Sequence, residues 1–351
     1  MTTIPKAKSP ASRYSVPLQY RVYSDLSEIK ALSRQWDALL SASACNKAFG
    51  SLEWYLASCH VQGSLEPYLL TATQGPEITG VLPLALDSQS GMLVFPHCAN
   101  DYNDVVVRRD SLDRAAGLLE HATSLCKGRR MVLAKLRPDS DCARAAALFN
   151  GKPHLECRFR KTKAYSYIEL PASFDDYLAS RSRLSRRNVK YALRKTEANG
   201  LVMRELSPRE FDPMLLPEML IRFAIDRQDE KSFFRLAYAQ AFVREVLPSL
   251  FIKGYLKVFA MLKEGKAAAM DFYFFTHSGL TAWNGGFMPE IERLSPGTAL
   301  LAFAIRQAIA MGFREFDFGE GDEAYKKHWT NKEYVVGEME LVPRMSLSFT
   351  F

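Results

Sequence analysis

The sequence lacks several features that would place it in a large functional class. No run of about 18 consecutive apolar residues occurs, so no membrane-spanning helix is predicted. Neither a Gly-x-Ser-x-Gly elbow nor a Walker-type phosphate loop is present, which leaves hydrolase and NTPase hypotheses of those types without support. The sequence has no heptad repeat, so no coiled-coil arm is predicted.

Cysteine and histidine are sparse, and their spacing suggests no metal site. The six cysteines lie in the first half of the chain, and none forms a Cys-x-x-Cys pair. No spacing among these cysteines and the six histidines suits a zinc ion. A disulfide framework is not expected in a chain of this size. These observations favour a cytoplasmic protein with reduced cysteines and chemistry without a metal.

Positive charge is present in excess, and it is concentrated in one segment. The chain has 351 residues, of which 48% are hydrophobic, and its net charge is +7. This length and composition suit two domains with buried cores. Seven basic residues and no acidic residue occur between Arg181 and Lys195. We therefore expect a local site for an anionic partner, such as a nucleotide, a tRNA or an acidic membrane surface.

The hydrophobic periodicity predicts a mixed α/β fold with antiparallel strand pairs in both halves of the chain. Residues 1–16 lack an apolar stretch and are predicted to be a disordered basic tail. A strand over residues 165–170 is predicted to close a first domain (17–170), and a second domain covers 171–351. In the second domain we expect one long helix over 174–199, a helix over 233–251 broken near Pro248, and a last strand at 346–351.

The most specific pattern lies between residues 295 and 330. It opens with Ser295-Pro296-Gly297-Thr298, where serine is a favoured N-cap and proline suits the first helical position. An apolar helical face follows, and Gly312 ends the predicted helix. Because a helix N-terminus carries unpaired N–H groups and partial positive charge, this helix start suits a phosphate.

A short predicted strand, a glycine loop and a cationic aromatic cluster complete the pattern. Asp317 lies between two phenylalanines on the strand, and Glu320 lies between two glycines in the loop. Tyr325, Lys326 and Trp329 follow. Because lysine ammonium groups stabilise developing negative charge and tyrosine hydroxyls donate protons, Lys326 and Tyr325 are candidate catalytic residues. Asp317 or Glu320 is the candidate base. Packed aromatic rings, a surface lysine and strand-end hydrogen bonds would account for the same residue types.

Together these segments resemble the FemAB-like branch of the GNAT acyltransferase superfamily, and most closely the bacterial cellulose-biosynthesis-type (CelD-like) acetyltransferases. The resemblance rests on Leu294 to Thr298, on Asp317-Phe318-Gly319 with Gly321-Asp322, and on Tyr325-Lys326 with Trp329. It implies two GNAT-like domains in tandem, each a mixed, largely antiparallel sheet flanked by helices. The donor site would then lie in the second domain.

The resemblance also implies which residues bind the substrates. For an acyl-coenzyme A donor these are Ser295, Pro296, Gly297 and Thr298 at the pyrophosphate, with Asn284 near the thioester. GNAT proteins usually have a glycine-rich loop at this point, whereas this chain has one glycine and a proline. For the acceptor, the implied residues are Asp101, Tyr102, Asp104, Asn188, Lys190 and Trp329.

Three functional hypotheses follow. The first is an N-acyltransferase that carries an acetyl or other acyl group from coenzyme A to an amine of a sugar nucleotide or a polysaccharide or cell-envelope precursor. The second is a FemAB-type transferase that uses aminoacyl-tRNA, a hypothesis that the basic helix favours and the absence of a coiled-coil arm disfavours. The third is a GNAT-like module that binds a nucleotide or a protein without turnover.

Overall fold

The structure is a computed structural model that describes residues 17–125, 128–149, 151–226, 233–276 and 278–344. The predicted basic tail and the predicted strand at 346–351 lie outside the described residues. Within them, the chain has the predicted mixed α/β fold with a largely antiparallel sheet. The five cysteines in this part of the chain are free thiols.

Five of the ten α-helices in the described chain begin after a residue whose side chain caps them. Side chains of Asp25, Ser51, Ser140, Ser173 and Ser182 accept hydrogen bonds from N–H groups of the first helical turn. The helices are α1 (Leu26–Ala31), α2 (Ser33–Ala42), α3 (Leu52–Val61), α4 (Leu112–Leu125), α5 (Asp141–Ala146), α6 (Phe174–Ala179), α7 (Arg183–Ala198), α8 (Leu215–Asp226), α9 (Ala237–Ile252) and α10 (Pro296–Ala310).

The strands alternate or run apolar, as expected for a sheet that is covered by helices. They are β1 (Leu18–Tyr23), β2 (Leu65–Gln74), β3 (Glu77–Asp87), β4 (Leu93–Val94), β5 (Val106–Val107), β6 (Met131–Leu136), β7 (Leu155–Glu169), β8 (Leu201–Glu205), β9 (Leu256–Lys263), β10 (Lys266–Phe275), β11 (Gly279–Phe287), β12 (Glu315–Asp317) and β13 (Lys332–Pro343).

The thirteen strands of the described residues belong to one sheet in the order β1-β2-β3-β4-β6-β13-β7-β12-β11-β10-β9-β8, with β5 paired to β3. Neighbours are antiparallel except for two parallel pairs, β4 with β6 and β11 with β12. The two halves follow a similar element order: a strand, helices, a hairpin, a further strand, a helix and a parallel strand. This repetition agrees with the expected pair of similar α/β units.

The two halves are joined in the middle of the sheet, where strands from each half pair with strands of the other. β13, from the end of the described chain, lies between β6 and β7, and β7 pairs with both β12 and β13. Strand β7 is therefore longer than the predicted strand at 165–170 and connects the halves as well as ending the first. The boundary at residue 170 stays a prediction.

Helices cover both faces of the second half, and one core is shared with the first half. α8 and α9 pack on one face of β9 and β10, while α6, α7 and α10 pack on the other. Trp54 of α3 stacks edge-on against Phe242 and Phe274. This aromatic contact places the start of α3 inside the core of the second half, so the halves are held together by apolar burial as well as by the sheet.

Two helix predictions differ from the structure for local reasons. The predicted helix over residues 174–199 is two helices, α6 and α7, because Ser182 caps a new helix start and the chain turns at Ser180. Pro248 does not break α9, which continues to Ile252. Leu247, Leu250 and Phe251 around this proline are buried, so tertiary packing offsets the hydrogen bond that proline removes.

Candidate active site

The cleft of the second half opens where two parallel strands separate. β11 and β12 pair only from Gly279–Glu315 to Thr281–Asp317, after which β12 ends and β11 continues to Phe287. Residues 282–287 line a cleft of about 790 Å³, together with residues of α7, α10 and the segment that follows β12. The edge of β11 is thus open to a bound molecule.

The start of α10, which the sequence predicts to bind a phosphate, lines this cleft. Ser295 is the N-cap, in a left-handed conformation (φ 57°, ψ 51°), and its side chain makes no capping hydrogen bond. Pro296 is the first helical residue, and all four residues from Ser295 to Thr298 line the cleft. Gly297 is exposed, and a Cβ there would meet nothing within 4 Å. The N–H groups of Gly297 and Thr298 lie in the first turn, which has no intrahelical acceptors.

Lys326 lines the same cleft, but its ammonium also holds the glycine loop together. The residue is buried, and Nζ donates to the carbonyl oxygens of Gly319 (3.4 Å), Glu320 (2.9 Å) and Gly321 (3.1 Å). Nζ also lies 2.9 Å from a carboxylate oxygen of Glu323. An ammonium has three N–H donors. Lys326 therefore fixes the shape of the loop while it places a positive charge at the cleft wall.

Tyr325 and Trp329 also line the cleft, in different environments. The ring of Tyr325 is half exposed and meets Phe318 edge-on. Trp329 is buried, and its carbonyl oxygen accepts hydrogen bonds from Tyr177 (2.8 Å) and Arg181 (2.9 Å). This arrangement favours packing for Trp329, whereas Tyr325 is the more exposed of the two aromatic residues.

Glu320 lines the cleft but is paired with two lysines of the first half. Its carboxylate contacts Nζ of Lys135 at 2.7 Å and forms a second ion pair with Lys163. Burial raises the pKa of Glu320, and the two lysines outweigh this effect and lower the pKa to about 2. Since a general base works best with a pKa near the operating pH, this pairing disfavours Glu320 in that role.

Asp317 is fully buried and lies outside the lining of the cleft. One carboxylate oxygen is ion-paired with Arg137 and accepts a hydrogen bond from the hydroxyl of Tyr334. The other accepts from the N–H of Gly319 at 2.7 Å. Asp317 thus anchors the end of β12 to the first half, and the structure does not bring this predicted base to the substrate cleft.

The three predicted acceptor residues of the first half lie outside the lining of the large cleft. None of them lines the large cleft, whereas Tyr102 and Asp104 line a separate cavity of about 60 Å³ with Arg137. The hydroxyl oxygens of Tyr102 and Tyr334 lie 2.6 Å apart, within hydrogen-bond distance. Asp104 accepts from two N–H groups at the start of α5. Burial raises the pKa values of both Asp101 and Asp104 to about 7.

Other predicted binding residues divide between the cleft and the outer surface. Asn284 lines the cleft, and its side-chain oxygen accepts from the N–H of Gly285 at 2.8 Å. Asn188 of α7 is exposed and lines the cleft, whereas Lys190 is exposed outside its lining. The basic face of α7 therefore borders the cleft, and only part of it is oriented inward.

Asp271 is one of the cleft carboxylates that were not identified from the sequence. Asp271 of β10 lines the cleft, and the hydroxyl of Tyr273 donates to it at 3.1 Å. Its signal in the sequence is a single acidic residue inside an otherwise apolar strand. Arg137 and the lysines that pair with Glu320 were also missed, because they reach the second half from distant positions in the chain.

Neither a metal-binding cluster nor a membrane-spanning helix is present among the described residues. No group of three or more His, Cys, Asp or Glu side chains there is arranged to hold a metal ion. None of the described helices is long and apolar enough to cross a membrane.

Comparison with known proteins identifies the matched segment and the fold. Residues 183–327 match the model of a family described as "Acetyltransferase (GNAT) domain". No curated protein matches the sequence. This family segment contains α7, β8 to β12, α10 and Lys326, and so most of the cleft.

Solved structures share the fold over most of the chain at low sequence identity. The crystal structure of FemX has a TM-score of 0.58 at 14% identity, covering 88% of this chain and 95% of that one. L-PGS from Bacillus licheniformis has a TM-score of 0.57 at 13% identity, covering 92% and 94%. The C-terminal domain of a putative lysylphosphatidylglycerol synthetase from Agrobacterium fabrum has a TM-score of 0.55 at 11% identity, covering 89% and 92%. Residues 183–327 are therefore similar to acetyltransferase domains of the GNAT type, and most of the chain shares its fold with FemX.

Proposed function

We propose that this acyltransferase moves an acyl group from acyl-coenzyme A to an amino group of a sugar nucleotide or of another polysaccharide or cell-envelope precursor, as in the cellulose-biosynthesis-type acetyltransferases that it resembles. The observation that carries the proposal is that the first turn of α10 and the segment around Lys326 line one cleft, where β11 separates from β12. A long donor with phosphates at one end and a thioester at the other suits this arrangement.

The donor's pyrophosphate would bind at the start of α10. The N–H groups of Gly297 and Thr298 and the positive end of the helix dipole attract an anion there. Pro296 contributes no N–H, so this site offers fewer amides than a glycine-rich loop. The open edge of β11, next to Asn284, would accept the amide groups of the pantetheine arm.

Acyl transfer at this site requires no covalent intermediate on the protein. The amine nitrogen attacks the thioester carbonyl carbon, the C–N bond forms and the C–S bond breaks. The leaving thiolate takes up a proton, for which the hydroxyl of Tyr325 is the candidate donor. The positive charge of Lys326 at the cleft wall stabilises the negative charge that develops on the carbonyl oxygen.

The test is calorimetric titration of the protein with acetyl-coenzyme A, free phosphate and bulk tRNA, combined with two variants at Gly297. Gly297→Asp places a negative charge at the proposed phosphate site, in open space and at a helix end that tolerates acidic residues. We expect loss of coenzyme A binding of at least about tenfold without loss of stability. Gly297→Asn is the neutral control of the same size.

The outcomes of this experiment separate the hypotheses. Equal affinity of Gly297→Asp and Gly297→Asn for acetyl-coenzyme A would contradict the assignment of the phosphate site. Binding of coenzyme A without transfer of labelled acetyl to any amine of a panel of amino sugars and nucleotide-linked amino sugars would favour a binding module over an enzyme.

A second candidate, transfer of an aminoacyl group from tRNA, is supported by the surface of α7. Among the described residues, none of the seven basic side chains between Arg181 and Lys195 forms an ion pair with a carboxylate. Arg187 and Lys190 are exposed on the helix that borders the cleft. The fold similarity to FemX and to the lysylphosphatidylglycerol synthetase domain is consistent with this candidate.

Salt dependence distinguishes the second candidate from the first. If tRNA is the donor, replacing Arg187 and Lys190 together by glutamine should weaken tRNA binding and reduce its dependence on salt concentration. Arg160→Gln, at an exposed arginine paired with Glu338, is the control. An unchanged salt dependence would count against tRNA, and heat from coenzyme A alone would favour the first proposal.

A further inference from the structure

The proposed acyl transfer needs a proton acceptor, and the acids predicted from the sequence are engaged elsewhere. An ammonium group must lose one proton before its nitrogen can attack a carbonyl. Asp317 is buried against Arg137 and Tyr334, and Glu320 is held by Lys135 and Lys163. Other carboxylates also line the cleft, and Asp271 is one of them.

Asp271 has the position that this role requires. It lies on β10 directly opposite Gly285 of β11, on the strand pair that forms the floor of the cleft. A Cβ at position 285 would lie 2.0 Å from Oδ1 of Asp271. The missing side chain of Gly285 thus creates the space in which the carboxylate lies, next to Asn284 on the open strand.

A tyrosine on the same strand orients the carboxylate of Asp271. The hydroxyl of Tyr273 donates a hydrogen bond to Oδ2 of Asp271 at 3.1 Å. Burial, and to a lesser extent the negative charge of Asp271, raises the pKa of Tyr273 well above its usual value. The phenol therefore keeps its proton and remains a hydrogen-bond donor. The other ionisable side chains that line the cleft are Glu292, Glu320, Glu323, Tyr325, Lys326 and His328. Glu320, Glu323 and Lys326 are engaged in the ion pairs described above.

We infer that Asp271 is the catalytic base that receives the acceptor amine, an inference that rests on the proposed function. Its carboxylate binds the substrate ammonium and takes one proton, which later passes to solvent. The neutral amine then attacks the thioester carbonyl carbon. When the C–S bond breaks, the second proton on nitrogen goes to the leaving thiolate through the hydroxyl of Tyr325. The products are the amide and the free thiol of coenzyme A.

The experiment compares wild type with Asp271→Asn, which keeps the acceptor for Tyr273, and with Asp271→Ala. Labelled acetyl-coenzyme A and a panel of amino sugars, free and nucleotide-linked, serve as substrates. For Asp271→Asn we expect kcat to fall by about 10²- to 10³-fold with donor affinity within about twofold of wild type. Added formate should restore part of the activity of Asp271→Ala and leave wild type unchanged. Glu290→Gln, at an exposed acid outside the cleft lining, is the charge-matched control.

Each outcome bears on either the base or the function. The residual rate of Asp271→Asn should rise with pH as the free amine accumulates, whereas the wild-type rate should level off at lower pH. Full activity of Asp271→Asn, or an Asp271→Ala protein that binds the donor but is not rescued by formate, would remove Asp271 from this role and leave the proposed function intact. A folded wild type that acetylates no amine of the panel would overturn both.

Discussion

The carboxylate of Asp101, in the first half of the chain, lies directly against the Cα of Gly319, in the second half. A Cβ at position 319 would lie 2.4 Å from Oδ2 of Asp101 and 3.0 Å from the carbonyl oxygen of Ala282. Gly319 also has φ +64°, a conformation that favours glycine. The first half of the chain therefore fixes the loop from which Glu320 and Lys326 approach the cleft.

The contact at Gly319 predicts that Gly319→Ala is destabilising. Both the positive φ and the displacement of Asp101 oppose a methyl group, so we expect the free energy of unfolding to fall by about 1–3 kcal/mol. Urea denaturation measures this change. Gly297→Ala is the control, since a Cβ there meets nothing within 4 Å. Equal stability of the two alanine variants would contradict the contact.

The buried carboxyl of Asp101 predicts a pH-dependent contribution to stability. Burial raises its pKa to about 7, whereas the value in an unfolded chain is about 3.9. Between these values the folded state holds a proton that the unfolded state has lost, so the contribution of Asp101 to stability decreases as pH rises from about 4 to about 7.

Replacing this aspartate should therefore help more at high pH than at low pH. We expect the stability of Asp101→Asn relative to wild type to increase by about 2–3 kcal/mol from pH 5 to pH 8, as measured by urea denaturation at both values. Asp175→Asn, at an exposed acid on α6, is the control. A constant difference between Asp101→Asn and wild type across this range would show that the carboxyl ionises normally.

The hydrogen bonds of Lys326 predict that its removal affects both turnover and folding. The sequence alone predicts that Lys326→Ala lowers turnover with little effect on stability. The structure adds that three carbonyl oxygens of the glycine loop would lose their donor, so we expect a decrease of about 1–3 kcal/mol in unfolding free energy. Lys327→Ala, at the exposed neighbour, should change neither property. Normal turnover in Lys326→Ala would remove this lysine from the mechanism.

The ion pair of Arg137 with Asp317 predicts a large cost for removing only the cation. Asp317 is buried, with 1% of its surface exposed, and Arg137 is its ion-pair partner. The substitution Arg137→Met therefore leaves a buried carboxylate without its cation. We expect a loss of about 3–5 kcal/mol, measured by denaturation at neutral pH. The double variant Arg137→Met with Asp317→Asn should recover part of this loss. Additive effects of the two single changes would mean that the pair is not coupled.

The sequence by itself determined the local features of this protein. The apolar strands, the helix start at Pro296 and the glycine loop are encoded by periodicity, capping residues and glycine, which act over a few residues. For the same reason the start of α10 and the Tyr325-Lys326 cluster could be named as site candidates. The sequence also favoured a mixed α/β fold with two similar halves, which the sheet order and the fold comparisons support.

Only the tertiary structure decided which charged groups face the substrate cleft. Asp317 and Glu320 have the sequence pattern of catalytic acids, yet Arg137, Lys135 and Lys163 from the first half bind them. Asp271 has no motif around it, yet the pairing of β10 with β11 places it over a glycine at the cleft wall. Such ion pairs and strand registers join residues far apart in the chain. Their energy depends on distance and burial in the folded state, which no local pattern records.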